Sequence, residues 1–198
     1  MKGCLIICCL LVAGCVSEQQ AKEQLSLCPE YMQKNIGPCK VYPISLRGIL
    51  GLQGEMIKDS EGTFYVYGPF ASKDTVLHEA FHSLDWRIAT TRNEEWTSFT
   101  KDFCSERKAF YGGLSLRLFC VFTWPLQEIP ISGYPRLYST ISPAEDAADC
   151  FVMWLRNKQR RDEELRRKCQ VVGDFAQGKY QRAGDVKIQN EVAKAKEF

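Results

Sequence analysis

The sequence predicts an α+β fold, with a small mixed sheet beside one central helix and a helical second half. Three observations carry this expectation. Between Val41 and Tyr67, short runs rich in aromatic and β-branched residues are separated by turn signals. Ser72 then opens a helix in which Val76, Leu77, Ala80, Phe81 and Leu84 recur at helical spacing. Further on, Ser142-Pro143 begins a second strongly helical stretch, with serine as cap and proline at the first helical position. A chain of 198 residues fits one domain with a sizeable core. Its 45% hydrophobic and 25% charged residues are those of an ordinary globular protein. A net charge of +2 gives no reason to expect nucleic acid as a partner.

Taken in order, Met1-Lys2 and the apolar run Gly3 to Gly14 have the layout of a secretory signal peptide over residues 1–17. Cys15 and Ser17 are the small residues before the cut. Val12-Ala13-Gly14-Cys15 also fits a bacterial lipobox, which would leave a lipid on Cys15. The run is too short to span a bilayer. A secreted protein is therefore expected, with a bacterial lipoprotein anchored through Cys15 as the alternative. Residues 18–182 then form a single domain, and residues 183–198 a loosely ordered tail.

Glu18 to Lys34 reads as a leading helix, ended by Gly37-Pro38. Val41 to Ile44, Ile49 to Ile57 and Thr63 to Tyr67 read as strands, the last two joined by a turn at Asp59-Ser60-Glu61-Gly62. Thr63 to Tyr67 fits either an edge strand that a peptide could pair with or an ordinary core strand. Gly68-Pro69 ends it, and the central helix starts near Lys73. A second helix over Thr90 to Phe110 is followed by Gly112-Gly113, an apolar stretch, and a loop rich in Pro and Gly that leads to Tyr138. From Arg156 the dense mixed charge predicts a solvated helix, the alternative being a basic patch for anionic lipid or polysaccharide.

Six cysteines follow the leader: Cys28, Cys39, Cys104, Cys120, Cys150 and Cys169. In an exported chain an even number predicts up to three disulfides, with Cys28–Cys39 the one local pairing the spacing singles out. Cys104 and Cys120 would tie an inserted subregion. No C-x-x-C spacing among the six favours a cysteine metal site instead.

The chemistry-bearing stretch is Thr75-Val-Leu-His-Glu-Ala-Phe-His-Ser-Leu-Asp-Trp86. It holds both histidines of the chain, His78 and His82, in the pattern H-E-x-x-H. Four residues apart on a helix, they stand on one face and can share one zinc ion. Glu79 beside them can deprotonate a water at such a site. Asp85 either orients a ligand or sits at the helix surface. Ile88 stands where a metzincin needs its third ligand, which excludes that pattern.

With no third histidine, a carboxylate must complete a three-residue site. Glu145 is the leading candidate, with Asp146 and Asp149 in reserve. Ser142 and Glu145 also spell a capping box, in which Glu145 would only bond the backbone. Asp149, one helical turn after Glu145, can steady a ligating imidazole.

H-E-A-F-H-S-L-D together with G-Y-P-R-L-Y-S-T-I-S-P-A-E-D-A-A-D-C-F resembles the anthrax lethal factor-like metallopeptidases and the related Pro-Pro endopeptidases. The likeness covers roughly Phe64 to Leu155. It implies a zincin-like metallopeptidase fold, one Zn²⁺ per chain on His78, His82 and Glu145, and Glu79 as general base. It also implies that Tyr138, seven residues before Glu145, polarises the scissile carbonyl, with Tyr134 the nearby fallback. Asp149 stands where those families commonly have glutamate, and the linker between the two blocks is long. The function this implies is a secreted, monomeric endopeptidase acting on a peptide or protein substrate. The alternative is a secreted binding module that keeps the scaffold and the metal without proteolysis.

Overall fold

The computed structural model describes residues 16–91, 134–158 and 162–179. Residues 1–15 of the expected signal peptide, including Cys15, the expected second helix beyond Thr91, Cys104, Cys120 and the tail at 183–198 lie outside these residues, while Thr90 and Thr91 end the central helix. Ser17 caps α1 (Glu18–Leu25) in a reciprocal box, its hydroxyl accepting from the Gln20 N–H while its own N–H donates to the Gln20 side chain. The leading helix expected to reach Lys34 is in fact two, α1 and α2 (Glu30–Asn35). Pro29 separates them, because it has no N–H to offer a helix and disfavours helical backbone at the residue before it.

The strands β1 (Cys39–Tyr42), β2 (Gly54–Met56) and β3 (Phe64–Tyr67) form a mixed sheet in the order β1-β3-β2. β1 runs parallel to β3 and β2 antiparallel to it. Of the two readings of Thr63 to Tyr67, the core strand holds: it is the central strand, and among the described residues β1 and β2 are the edges. One strand expectation needs correction. The strand expected from Ile49 begins only at Gly54, and Leu46–Ile49 form a short helix, α3. Ser45 caps α3 by accepting from the Gly48 N–H, and Gly51 at φ +97° then turns the chain. Local capping and turn chemistry outweigh the β-branched content there.

Alternation along β3 decides what each face does. Phe64 and Val66 are fully buried against the helices, while Tyr65 stacks with Tyr42 and Tyr67 on the opposite face. The central helix α4 (Lys73–Thr91) starts from a reciprocal cap, with the Thr75 N–H donating to Ser72 Oγ and the Ser72 N–H donating to Thr75 Oγ1. It is sandwiched. The sheet covers one side and α5 (Pro143–Leu155) the other, and Phe81 stacks on Phe151 at 5.4 Å in the core between them. Ser142 and Pro143 open α5 as the sequence predicts. α6 (Glu163–Ala176) is the charge-rich helix, and it is amphipathic rather than solvated all round. Leu165, Cys169, Val172 and Phe175 are buried, while Glu163 pairs with Arg166 and Arg167 outside.

The disulfide expectation is corrected for the described cysteines. Cys28, Cys39, Cys150 and Cys169 are free thiols, three of them buried. Cys39 is held in β1 opposite Phe64, whereas Cys28 packs into the core with Met32, so the local pairing does not form. Burial pushes both thiols up to about 12. Cys150 on α5 and Cys169 on α6 are instead buried thiols in the same core cluster, and Cys150 donates to Asp146 Oδ1. No helix among the described residues is long and apolar enough to cross a membrane.

Candidate metal centre

Helix periodicity sets the first part of the site. His78 and His82, one turn apart on α4, present their rings edge to face at 4.7 Å, with their Nε2 atoms 3.1 Å apart. α5 approaches from the other side and brings Glu145 between them. Its Oε2 lies 2.8 Å from His78 Nε2 and 3.4 Å from His82 Nε2. The capping alternative for Glu145 is answered by direction: its N–H bonds Ser142 Oγ, while its carboxylate turns to the histidines. His78, His82 and Glu145 thus form a group that could hold a metal ion, with their donor atoms all within 4.8 Å of one another. Although burial works against it, His82 and His78 hold the Glu145 carboxyl well below its ordinary range.

Asp149, one turn beyond Glu145, accepts from His78 Nδ1 at 2.8 Å. A carboxylate only accepts, so His78 Nδ1 carries its proton whether the ring is neutral or charged, and Nε2, facing Glu145, is the position a metal would take in place of a proton. Two residues not singled out in the sequence complete this support. Arg136 donates through Nε and Nη2 to both Asp149 oxygens, at 2.8 and 2.7 Å, and Ser139 Oγ donates at 2.7 Å. Burial opposes a charge on Asp149, yet Arg136 and His78 hold its carboxyl far below the usual range. Burial likewise opposes a proton on His78, and Asp149 and Glu145 raise its pKa to about 10. The same carboxylates would favour a metal cation on that imidazole. Arg136 and Ser139 lie inside the quoted Gly133–Phe151 block, but no spacing rule marks them.

Glu79 is buried and lies against the edge strand. A Cβ built on Gly54 would come 2.5 Å from Glu79 Cγ and 2.7 Å from its Oε1. Burial raises the Glu79 carboxyl above its ordinary value, with His78 and His82 pulling the other way. Tyr138 stands in the 3-10 turn Leu137–Ile141, its ring 6.0 Å from that of His78 and under the Arg136 guanidinium at 5.0 Å. Burial, then Glu145, Glu79 and Asp149, push its phenol well above the usual value, so it stays a donor. Tyr134, the fallback, lies instead beneath the Lys168 ammonium of α6.

The remaining carboxylates separate by position. Asp146 is turned away to Lys168 Nζ at 2.6 Å, with the Cys150 thiol beside it. Asp85 is buried and neither of its oxygens meets a hydrogen-bond donor, so it orients neither histidine. Burial pushes its carboxyl up to about 7 against the pull of His82. Beside the site a cleft of about 350 Å³ is lined by Gln53, Phe70, Arg136, Asp149 and Met153 among others.

Zinc fits this donor set. Donor atoms around a tetrahedral zinc stand about 3.3 Å apart, and the three edges here measure 2.8, 3.1 and 3.4 Å. Two imidazoles and one carboxylate match zinc's preferences, with an outer carboxylate fixing one tautomer. No family model matches the chain and no curated protein or solved structure is similar to it, so the resemblance rests on the quoted residues alone.

Proposed function

We propose that this chain is an exported, zinc-dependent endopeptidase of the zincin type. The reading is carried by the convergence of His78 Nε2, His82 Nε2 and Glu145 Oε2 beside a buried Glu79 carboxylate. His78, His82 and Glu145 would hold the zinc, which when bound supplies Lewis acidity toward a water and a peptide carbonyl.

The protein's own residues do the rest. Glu79, with a raised pKa, takes a proton from the attacking water and returns it to the leaving amine. Tyr138 keeps its proton and donates a hydrogen bond to the oxygen that gains charge as the carbonyl is attacked. Asp149, clamped by Arg136 and Ser139, fixes His78 so that Nε2 stays directed at the site. Among the described residues β2 is an edge strand, and that edge, whose Gly54 abuts Glu79, is where an extended peptide would pair.

Metal analysis of the purified protein together with digestion of a peptide library tests the reading. One zinc per chain and cleavage are expected. Glu79→Gln should keep the zinc and lose cleavage by about a thousandfold or more, as befits loss of the proton carrier. A wild type without zinc, or a Glu79→Gln variant that cleaves normally, sinks the proposal. Zinc without any cleavage by the wild type favours a binding module on the same scaffold.

A further inference from the structure

The loop between β1 and β2 leaves an unusual set of side chains in water. Ile44, Leu46, Ile49, Leu50 and Leu52 are 63, 72, 55, 71 and 40% exposed, and Phe70 on the neighbouring turn is 50% exposed. Other exposed apolar residues among those described, such as Leu27 and Val171, are scattered, as on any soluble surface. Six within one loop and its neighbour form a patch of the kind that marks an interaction site.

The loop is built to hold these side chains outward. Ser45 caps α3, the Ser45 N–H donates to the Gly68 carbonyl, and Gly48 sits against that same carbonyl so closely that a Cβ would lie 1.8 Å from it. At the tip, a Cβ on Gly51 would meet nothing within 4 Å. The surface is therefore a braced, convex knob. A peptide side chain needs a concavity, whereas a lipid interface accepts protruding apolar groups.

Placement identifies the occupant. Val16, the first described residue, is buried in one cluster with Val66, Ala71 and Val76. Ala71 adjoins Phe70, so the chain enters the fold at the end of the sheet where β1 and β3 finish and the knob projects. The residue immediately before Val16 is Cys15, so in the lipoprotein alternative the lipid on Cys15 would sit at this same end. No carboxylate occurs from Lys40 to Gln53, and the nearest one, Glu55, is paired with Arg47. Arg47 is therefore the one charge inside the loop, and its pairing with Glu55 lowers the cost of carrying it to the interface. We propose that this end of the molecule is a membrane-docking face, on which the knob inserts into the interfacial region of a phospholipid bilayer. This inference does not depend on zinc or on proteolysis.

The test compares the exported natural chain, freed of its apolar leader, with L46E/L50E on phosphatidylcholine vesicles, with and without phosphatidylglycerol. The natural chain should float with both kinds, because the contact is apolar. Vesicles should slow amide exchange at residues 44–52. Two buried glutamates should lower partition by roughly tenfold or more, with an unchanged circular dichroism spectrum. Equal flotation of the two chains, no flotation of the natural chain, or exchange at 44–52 indifferent to vesicles overturns the proposal. Flotation only with phosphatidylglycerol also overturns it, in favour of charge-driven binding elsewhere.

Discussion

Asp149 receives four hydrogen bonds from His78, Arg136 and Ser139, which explains how a carboxylate can stay ionised while buried. Asp149→Asn removes the charge that Arg136 faces and weakens the hold on His78 Nδ1. Zinc affinity should fall by about 10- to 100-fold, measured by competition with a chelating dye. An unchanged affinity would mean that Asp149 does not support the ligand. Asp85 is the opposite case, a buried carboxyl with no donor on either oxygen. Its folded-state pKa is raised from 3.8 to about 7, so the folded protein binds the extra proton. Stability from this group is therefore fully present below about pH 4 and is lost as pH rises toward 7. The loss amounts to at most about 4 kcal/mol. Asp85→Asn cannot titrate, and its denaturation midpoint should lack this decline relative to the wild type. Parallel pH profiles for the two proteins would show that Asp85 carries no such cost.

Between elements, the closest approach that matters is β2 against α4. Gly54 is the point of contact with Glu79, and a methyl group there has no room without moving the carboxylate or the strand. Gly54→Ala should lower cleavage by at least about tenfold, a cost of about 1.4 kcal/mol in the barrier, while zinc content stays at one per chain. Full activity in Gly54→Ala would place the general base elsewhere. This contact also shows what was legible beforehand. His78, Glu79 and His82 declare themselves because helical spacing is local, and Ser142-Pro143 marks the start of α5 for the same reason. Local composition starts the strand that meets Glu79 at Ile49, and it leaves edge and core equally open for the central strand. Strand order and edge position depend on pairings between distant residues that no local pattern encodes. No local signal marks Arg136 and Ser139, for a related reason. Their importance comes from facing Asp149 across a turn, and their residue types are common on any surface.

At the scale of the molecule, the candidate centre joins two parts of the chain that are far apart in sequence. His78 and His82 belong to α4 and Glu145 to α5, with separations of 67 and 63 residues to the glutamate. The two helices are also held by Phe81 against Phe151 and by Arg156, which reaches Asp74 at 2.9 Å and Gln24 at 2.5 Å. The fold therefore does not wait on a metal to bring them together. A metal bound only by the folded state nevertheless adds stability by mass action. Zinc at a hundred times its dissociation constant contributes about 2.7 kcal/mol. For a chain of this size each kcal/mol moves the melting temperature by about 2–4 °C, so zinc should raise it by roughly 5–10 °C over chelator-treated protein. The same shift should vanish in H78A/H82A and shrink in Glu145→Gln, because a carboxamide is a far poorer zinc ligand than a carboxylate. Scanning calorimetry of the three proteins with and without zinc decides it. A shift that persists in H78A/H82A would assign the ion to other residues, and no shift in the natural chain would leave His78, His82 and Glu145 as an ion-pair network alone.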